Sequence, residues 1–370
     1  MRLVRSSFHT YHLPYSRPVK WSDIVEEGGS FLLLRLESEE GHVGVAEMVT
    51  KPTWTGFGMQ SLAAAVSEVL LPRLSGADIS DETQVAAKLQ AIPGMHAPKA
   101  LLDNALWDLR AAAQADPLWR NWGGVSRVPV SYTVTRQAPD LMARQAAQMV
   151  DRYGFNVLKI KGGQGVEQDL SALRALRAAV GDNVGFYVDA NSAYSTGVAQ
   201  DYARAMFDAG ARVVEDPCAL LPNHDFAMLQ SALPGPLLVD FNCWGVDDMR
   251  QFMASGARAF SLKPGRLGLS ATRAMRRIAQ DAQATTVTGM FGESALGTWQ
   301  ALALASTLGH LSLPAEVTWF LEMREQVLAD IPRIQGGAID MPVWSSAAER
   351  VDWQRVQRLR SAPVVEKNHS

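Results

Sequence analysis

A chain of 370 residues, 47% hydrophobic and 20% charged with a formal net charge of −3, has the balance of an ordinary globular protein with one large core or two smaller ones. Its near-neutral charge and dispersed Lys and Arg exclude a nucleic-acid footprint, and no apolar run is long enough to cross a bilayer. Two cysteines, Cys218 and Cys243, with no CxxC spacing, exclude a disulfide framework and a zinc site, and the start Met1 to Arg5 lacks the apolar core of a signal peptide, so a cytoplasmic protein is expected.

The first third reads as α+β. Phe31 to Leu36 is a predicted strand, Glu40-Gly41-His42 a turn and Val43 to Glu47 the partner strand. Helical spacing follows at Leu62, Ala65, Val66, Val69 and Leu70, and again at Ala100, Leu101, Ala105, Leu106 and Leu109; Gly123-Gly124 closes the unit. From Val128 strands alternate with helices. Val128 to Tyr132 is a strand, Leu141 to Tyr153 a helix, Val157 to Lys161 a strand, Glu167 to Ala179 a helix and Val184 to Val188 a strand. A helix over Val198 to Ala209 precedes Val213-Val214 leading to Glu215. Leu237 to Val239 lead to Asp240, Ala259 to Leu262 to Lys263, and Thr285 to Thr288 to Gly289 and Glu293. Such alternation implies parallel strands with right-handed crossovers. About eight units fit between Val128 and Val317, which favours a closed (β/α) barrel, a modified TIM barrel in the α/β class, beneath an N-terminal α+β capping domain. The expected boundaries are 1–125 for the capping domain, 126–330 for the barrel, and 331–370 for a polar segment, amphipathic over Val351 to Leu359, that returns to the capping domain.

Charged residues recur where these strands end. On the strand Val157 to Lys161, Lys159 and Lys161 point to one face and Leu158 and Ile160 to the other. Each ammonium disfavours charge on its neighbour and burial lowers both, which is how a lysine becomes a general base near neutral pH. Asp189, Glu215 and Asp240 stand 26 and 25 residues apart, one strand-helix unit each, so they fall on adjacent strands. Any one of them alone reads as a helix N-cap, and so do Asn191 and Ser192. Three carboxylates at successive strand ends, flanked by lysines, instead call for a cation; hard oxygen ligands suit Mg²⁺.

The ordered set Lys159-Ile160-Lys161, Val188-Asp189-Ala190-Asn191, Val214-Glu215-Asp216-Pro217, Asp240, Lys263-Pro264-Gly265-Arg266 and Gly289-Met290-Phe291-Gly292-Glu293-Ser294 resembles the enolase superfamily, within it the muconate lactonizing enzyme subgroup, and there most nearly the o-succinylbenzoate synthases and N-acylamino acid racemases. The resemblance covers nearly the whole chain, Ala46 to Thr50 and Ala301 to Pro314 included. It implies that Asp189, Glu215 and Asp240 bind Mg²⁺, with Mn²⁺ as a substitute, and that the metal holds a substrate carboxylate and stabilises the enediolate left when the α-proton departs. It further implies that Lys161 and Lys263 are acid/base groups on opposite substrate faces, that Lys159 tunes Lys161, and that Asn191 and Glu293 support them. Two departures stand out: Phe241-Asn242 follows Asp240 where the family usually has Glu, and Gly268-Leu269 replaces Gly-Gly.

In this family the capping domain selects the substrate, which points to loops over Tyr15 to Asp23 and Thr50 to Gly58 with Arg17, Lys20, Trp21, Trp54 and Phe57, joined by Trp319. Those aromatics suit an aromatic or aliphatic substituent or a quaternary amine, and equally suit packing between the domains. Val317 to Leu321 lacks the Asp-x-Asp of dipeptide epimerases. The expected activity is racemisation or epimerisation of an N-substituted amino acid. The alternatives are syn-dehydration to an o-succinylbenzoate-like product, cycloisomerisation of a muconate-like diacid, and, in a different class, a non-catalytic binding barrel. The expected partners are a small-molecule carboxylate and further copies of the chain, with neither nucleic acid nor membrane.

Overall fold

A computed structural model describes residues 1–370 apart from Asp23, Leu308, His310, Val364 and Ser370. Strands Leu3–Lys20, Val25–Ser38 and Val43–Val49 form an antiparallel sheet, and Val365–Asn368 from the far end of the chain adds to its first strand, Arg5 opposite Asn368. Alternation along these strands divides the core. Phe8, Leu32, Leu34, Leu36, Ala46 and Met48 pack on one side with Leu62, Val66, Leu70, Leu101, Ala105 and Leu109. Tyr11, Leu13, Tyr15, Phe31, Leu33, Val45 and Val49 join the core of the barrel. Both faces of the sheet are therefore dry, as a period of two with apolar residues on either side requires.

Most of the stretch expected as a loop over Tyr15 to Asp23 is strand, and only Trp21 and Ser22 bend beyond it. The strand runs on to Lys20, paired with Val25, after a register shift between Pro14 and Val19; the inward positions Leu13, Tyr15 and Val19 continue the alternation and draw it into the sheet. Asp23 lies outside the described residues.

The barrel carries seven parallel strands in chain order: Tyr132–Val134, Val157–Lys161, Gly185–Asp189, Ala211–Glu215, Leu237–Val239, Ala259–Leu262 and Thr285–Thr288. An eighth, irregular segment closes the ring. The Leu313 and Glu316 amides donate to the Thr286 and Thr288 carbonyls on one side; on the other, the Ala315 amide donates to the Pro129 carbonyl and the Ser131 amide to the Ala315 carbonyl. The single strand expected over Val128 to Tyr132 divides. Arg127–Pro129 joins a small antiparallel sheet with Ala338–Asp340 and Ile334–Gln335, and the barrel strand begins at Tyr132. Pro129 has no amide hydrogen, so it cannot sit inside a continuous ladder.

Beyond the barrel the chain folds back across the capping domain. Asp108, buried on the helix His96–Gln114, accepts from the Val45 amide (2.8 Å), the Ser346 hydroxyl (2.7 Å) and the Ala347 amide (2.8 Å). Among the described residues no helix is long and apolar enough to cross a membrane, and both cysteines are buried free thiols.

Candidate active site

The parallel register brings the charged strand ends to one height. Lys161 is the direct partner of Asp189, and Asp189 of Glu215. Asp240 and Lys263 follow immediately after the strands Leu237–Val239 and Ala259–Leu262. All six charged groups, Lys159 included, are buried, Glu215 and Asp189 completely. Lys159 Nζ bridges three acids, 3.1 Å from Asp189 Oδ2, 2.5 Å from Glu215 Oε2 and 3.1 Å from Glu316 Oε1. Lys161 Nζ donates to Asp189 Oδ2 at 2.6 Å and to Asn191 Oδ1 at 3.1 Å. Lys263 Nζ donates to Asp240 Oδ2 at 2.5 Å.

Electrostatics separate the two lysines that the sequence treats alike. Burial pushes the Lys161 ammonium below the ordinary lysine range; Asp189 opposes the fall and Lys159 adds to it. Burial acts on Lys159 too, but Asp189, Glu215 and Glu316 together outweigh it and raise Lys159 well above that range. The expected lowering therefore holds for Lys161 and is reversed for Lys159, because the acids around Lys159 outnumber its lysine neighbour. Glu215 is raised by burial and by Asp189, whereas the three lysines hold Asp189 down despite its burial.

Asn191 and Glu293, expected as supporting groups, both lie beside the charged cluster. Asn191, at a positive φ of 49°, turns its amide hydrogen onto Asp189 Oδ1 (2.8 Å) while its side chain accepts from Lys161. Glu293 Oε2 accepts from the amides of Phe291 (2.7 Å) and Gly292 (3.0 Å), and its Oε1 has no hydrogen-bond partner and abuts Gly265 in the turn after Lys263.

A cavity of about 10 Å³, room for roughly one water, is lined by Trp21, Lys51, Trp54, Lys159, Lys161, Lys263, Met290, Phe291 and Glu316. Above it the rings stack. Trp21 lies parallel to Trp319 (5.3 Å, 9°) and to Trp54 (6.1 Å, 23°), and Trp54 meets Phe241 edge-on at 5.4 Å. Phe241 thus uses the position where the family usually has Glu to extend the aromatic roof, and Lys263 keeps Asp240 as its acidic partner. Three residues expected at the substrate are placed elsewhere. Arg17 is turned to Glu322 (3.5 Å) and Thr135 (3.1 Å), Lys20 is exposed with its carbonyl accepting from the Arg136 amide, and half-buried Phe57 packs against the core of the capping domain. Neither Arg17, held by its own partners, nor Lys20 is among the residues that line the cavity.

Lys51, Glu316 and the structural part of Arg266 are not among the residues expected from the sequence. Lys51 is buried, pairs with Glu26 Oε1 at 2.8 Å and lies 3.5 Å above the Trp21 ring; burial, partly offset by Glu26, brings its ammonium down to about 8. Its signal was available, a lysine immediately beyond an apolar strand end. Glu316 is a lone charge inside Ala315 to Val317, itself the mark of a buried ion pair. Arg266, wholly buried, donates to the carbonyls of Asp240 (2.8 Å) and Cys243 (3.1 Å) and lies 3.3 Å from Asp240 Oδ1.

As they are placed, no three acidic, His or Cys side chains among the described residues group around one ion-sized point; Lys159 stands between Asp189 and Glu215, and Lys263 against Asp240. The donor set nevertheless suits a hard divalent cation. Asp189, Glu215 and Asp240 occupy neighbouring strand ends, and neither oxygen of Glu215 nor Asp240 Oδ1 accepts a hydrogen bond, their lysine and arginine neighbours making charge contact alone.

Comparison with known proteins identifies the family and the fold. Residues 141–343 match the family described as enolase C-terminal domain-like, and residues 6–123 the mandelate racemase / muconate lactonizing enzyme N-terminal domain. An N-succinylamino acid racemase of Thermus thermophilus is 29% identical over 96% of this chain and 99% of its own. The chloromuconate cycloisomerase CbnB of Cupriavidus necator is 25% identical over 98% of this chain and all of its own. In fold, a muconate lactonizing enzyme from Pseudomonas fluorescens, solved with muconolactone, superposes with a TM-score of 0.91 at 24% identity over 97% of this chain and 99% of that one.

Proposed function

Because the chain belongs to the mandelate racemase / muconate lactonizing enzyme family of the enolase superfamily, we propose that it removes the proton next to a substrate carboxylate and that its substrate is an N-substituted amino acid, racemised at the α-carbon. The observation that carries this reading is the placement of Lys161 and Lys263 on one cavity from different strands, each tied to a different carboxylate. A racemase needs two such groups, one to take a proton from one face and another to return it on the opposite face.

Asp189, Glu215 and Asp240 would hold Mg²⁺, with Mn²⁺ as a substitute. The bound cation would supply the positive charge that retains the substrate carboxylate and offsets the negative charge building on it. Lys159, kept charged by its acids, adds a fixed positive charge beside Lys161. Trp21 and Trp54, backed by Trp319, would shield the site from water and face the N-substituent.

A second reading, cycloisomerisation of a muconate-like diacid, is favoured by the chloromuconate cycloisomerases among the relatives and by Lys51, a buried cation able to meet a second carboxylate. The deciding experiment incubates the protein with Mg²⁺ in D₂O with both enantiomers of N-succinyl amino acids, and separately with cis,cis-muconate. Proton NMR should show α-deuteration of both enantiomers, abolished by chelation and restored by Mg²⁺ or Mn²⁺. Lactone formation from muconate without amino-acid exchange would transfer the assignment to the second reading. Full activity in metal-free buffer would exclude the metal.

A further inference from the structure

The two lysines at the cavity are fastened by different parts of the molecule. The turn after Lys161 is held by barrel residues: Asp169 accepts from the Gly163 amide (2.6 Å), and Arg136 Nε donates to the Gly162 carbonyl (2.6 Å). Lys263 caps a four-residue helix, Pro264–Leu267, which passes through Gly268 into the helix Leu269–Asp281. That turn is gripped from the capping domain, by one face of the helix His96–Gln114.

Asn104, 2% exposed, spans the turn with both ends of its amide. Its Nδ2 donates to the Pro264 carbonyl at 3.0 Å, one residue from Lys263, and its Oδ1 accepts from the Leu269 amide at 2.9 Å. Its neighbour Asp103 accepts from the Ser270 amide (2.8 Å) and hydroxyl (2.5 Å), and Trp107 Nε1 donates to the same hydroxyl at 2.8 Å. The first amides of the barrel helix, which the helix itself leaves unpaired, are thus satisfied by another domain. Gly268 permits this approach: at φ +87° it suits the turn, and a Cβ there would lie 2.8 Å from Asp103 Oδ2 and 3.3 Å from Ala100 Cα. The unusual pair Gly268-Leu269 falls at the centre of this clamp.

We infer that Asn104, assisted by Asp103 and Trp107, is a positioning residue for Lys263, so that the capping domain sets the placement of one acid/base group and leaves the other to the barrel. This rests on the reading of Lys161 and Lys263 as a two-sided pair. Displacing a reacting group by about 1 Å costs on the order of 10²-fold in rate, and loosening Asn104 acts on the Lys263 side alone. A purely structural Asn104 would affect both sides equally when lost.

The test compares wild type with Asn104→Ala in Mg²⁺ buffer by two measurements. In the first, trace acetylation with acetic anhydride is followed by peptide mass spectrometry, with Lys161 as the internal reference for Lys263. In the second, α-proton exchange in D₂O is followed for N-succinyl-L- and N-succinyl-D-phenylalanine. The expected result is a changed Lys263 to Lys161 labelling ratio, together with a loss of about 10²-fold in exchange of the one enantiomer that Lys263 serves; the other enantiomer and both KM values stay near wild type. Should Asn104→Ala give no folded protein, Ser270→Ala, which removes one hydroxyl from the same clamp, carries the test with the same sign. An unchanged labelling ratio, or equal losses for both enantiomers, overturns the proposal. If wild type exchanges neither enantiomer while the labelling ratio still shifts, the two-sided racemase reading fails and the positioning role stands.

Discussion

Lys161 answers to Asp189 and Asn191, Lys263 to Asp240, and this division makes the loss of either lysine distinguishable. Replacing one by Ala removes a general acid/base and should cost at least about 10²–10⁴-fold in racemisation. The two variants should fail in mirror fashion. Lys263→Ala retains α-proton exchange for the enantiomer that Lys161 serves, and Lys161→Ala retains it for the other. NMR of each variant with each enantiomer in D₂O checks this, and wild-type exchange of both enantiomers by both variants would remove the lysines from the chemistry. These groups were legible in the sequence because a charge that ends an apolar strand is a local signal. Lys51 falls within Thr50 to Gly58, where the aromatics Trp54 and Phe57 are the stronger local signal. Glu316 stands out locally only as a lone charge in an apolar stretch, and Asn104 carries no local signal of function. Their partners, Lys159 and Pro264, are 157 and 160 residues distant in sequence, and only the fold brings them together.

At the scale of elements, the barrel strands and helices follow from periodicity, since each unit repeats an apolar run and an amphipathic stretch. The elements that depart from expectation lack such a pattern. The closing segment near Ala315 is held by scattered bonds to two edges instead of a ladder, and Arg127–Pro129 is drawn off to a sheet made by residues more than two hundred positions later. The short helix Pro52–Thr55 carries Trp54 into the aromatic roof, touching Trp21, Phe241 and Phe291. Trp54→Ala should therefore alter KM and the order of preference across a panel of N-acyl amino acids, while α-proton exchange at saturation changes less. An unaltered order in steady-state kinetics would show that the roof does not meet the substituent.

Across the whole molecule, the late chain, the capping helix and the sheet meet at Asp108, whose carboxyl burial raises to about 6 in spite of its three hydrogen-bond donors. An unfolded aspartate titrates near 4, so between roughly pH 4 and 6 the folded protein binds more protons than the unfolded one, and its stability falls as pH rises through that window. Urea unfolding of wild type and Asp108→Asn across this range should show the difference in unfolding free energy drifting against wild type up to about pH 6 and levelling above it; a flat difference would place the titration elsewhere. The return of 365–368 to pair with Arg5 to Phe8 was expected only as a direction of travel, because the register of a strand joining a distant partner is written in neither sequence alone.

The ring stack over the lysines has a kinetic consequence. The space lined by Trp21 and Trp54 is about 10 Å³, against the few hundred Å³ that ordinary small-molecule sites enclose. The capping domain meanwhile is bolted to the barrel rim through Glu47, which accepts from the Ser294 amide (2.7 Å), its hydroxyl (2.6 Å) and the Gly297 amide (3.0 Å), and through Asn104. A substrate larger than one water therefore requires the Trp21 and Trp54 rings to turn aside. Stopped-flow tryptophan fluorescence should then show an association rate that levels off at high ligand concentration, and a rate that keeps rising linearly would show that no such rearrangement limits capture.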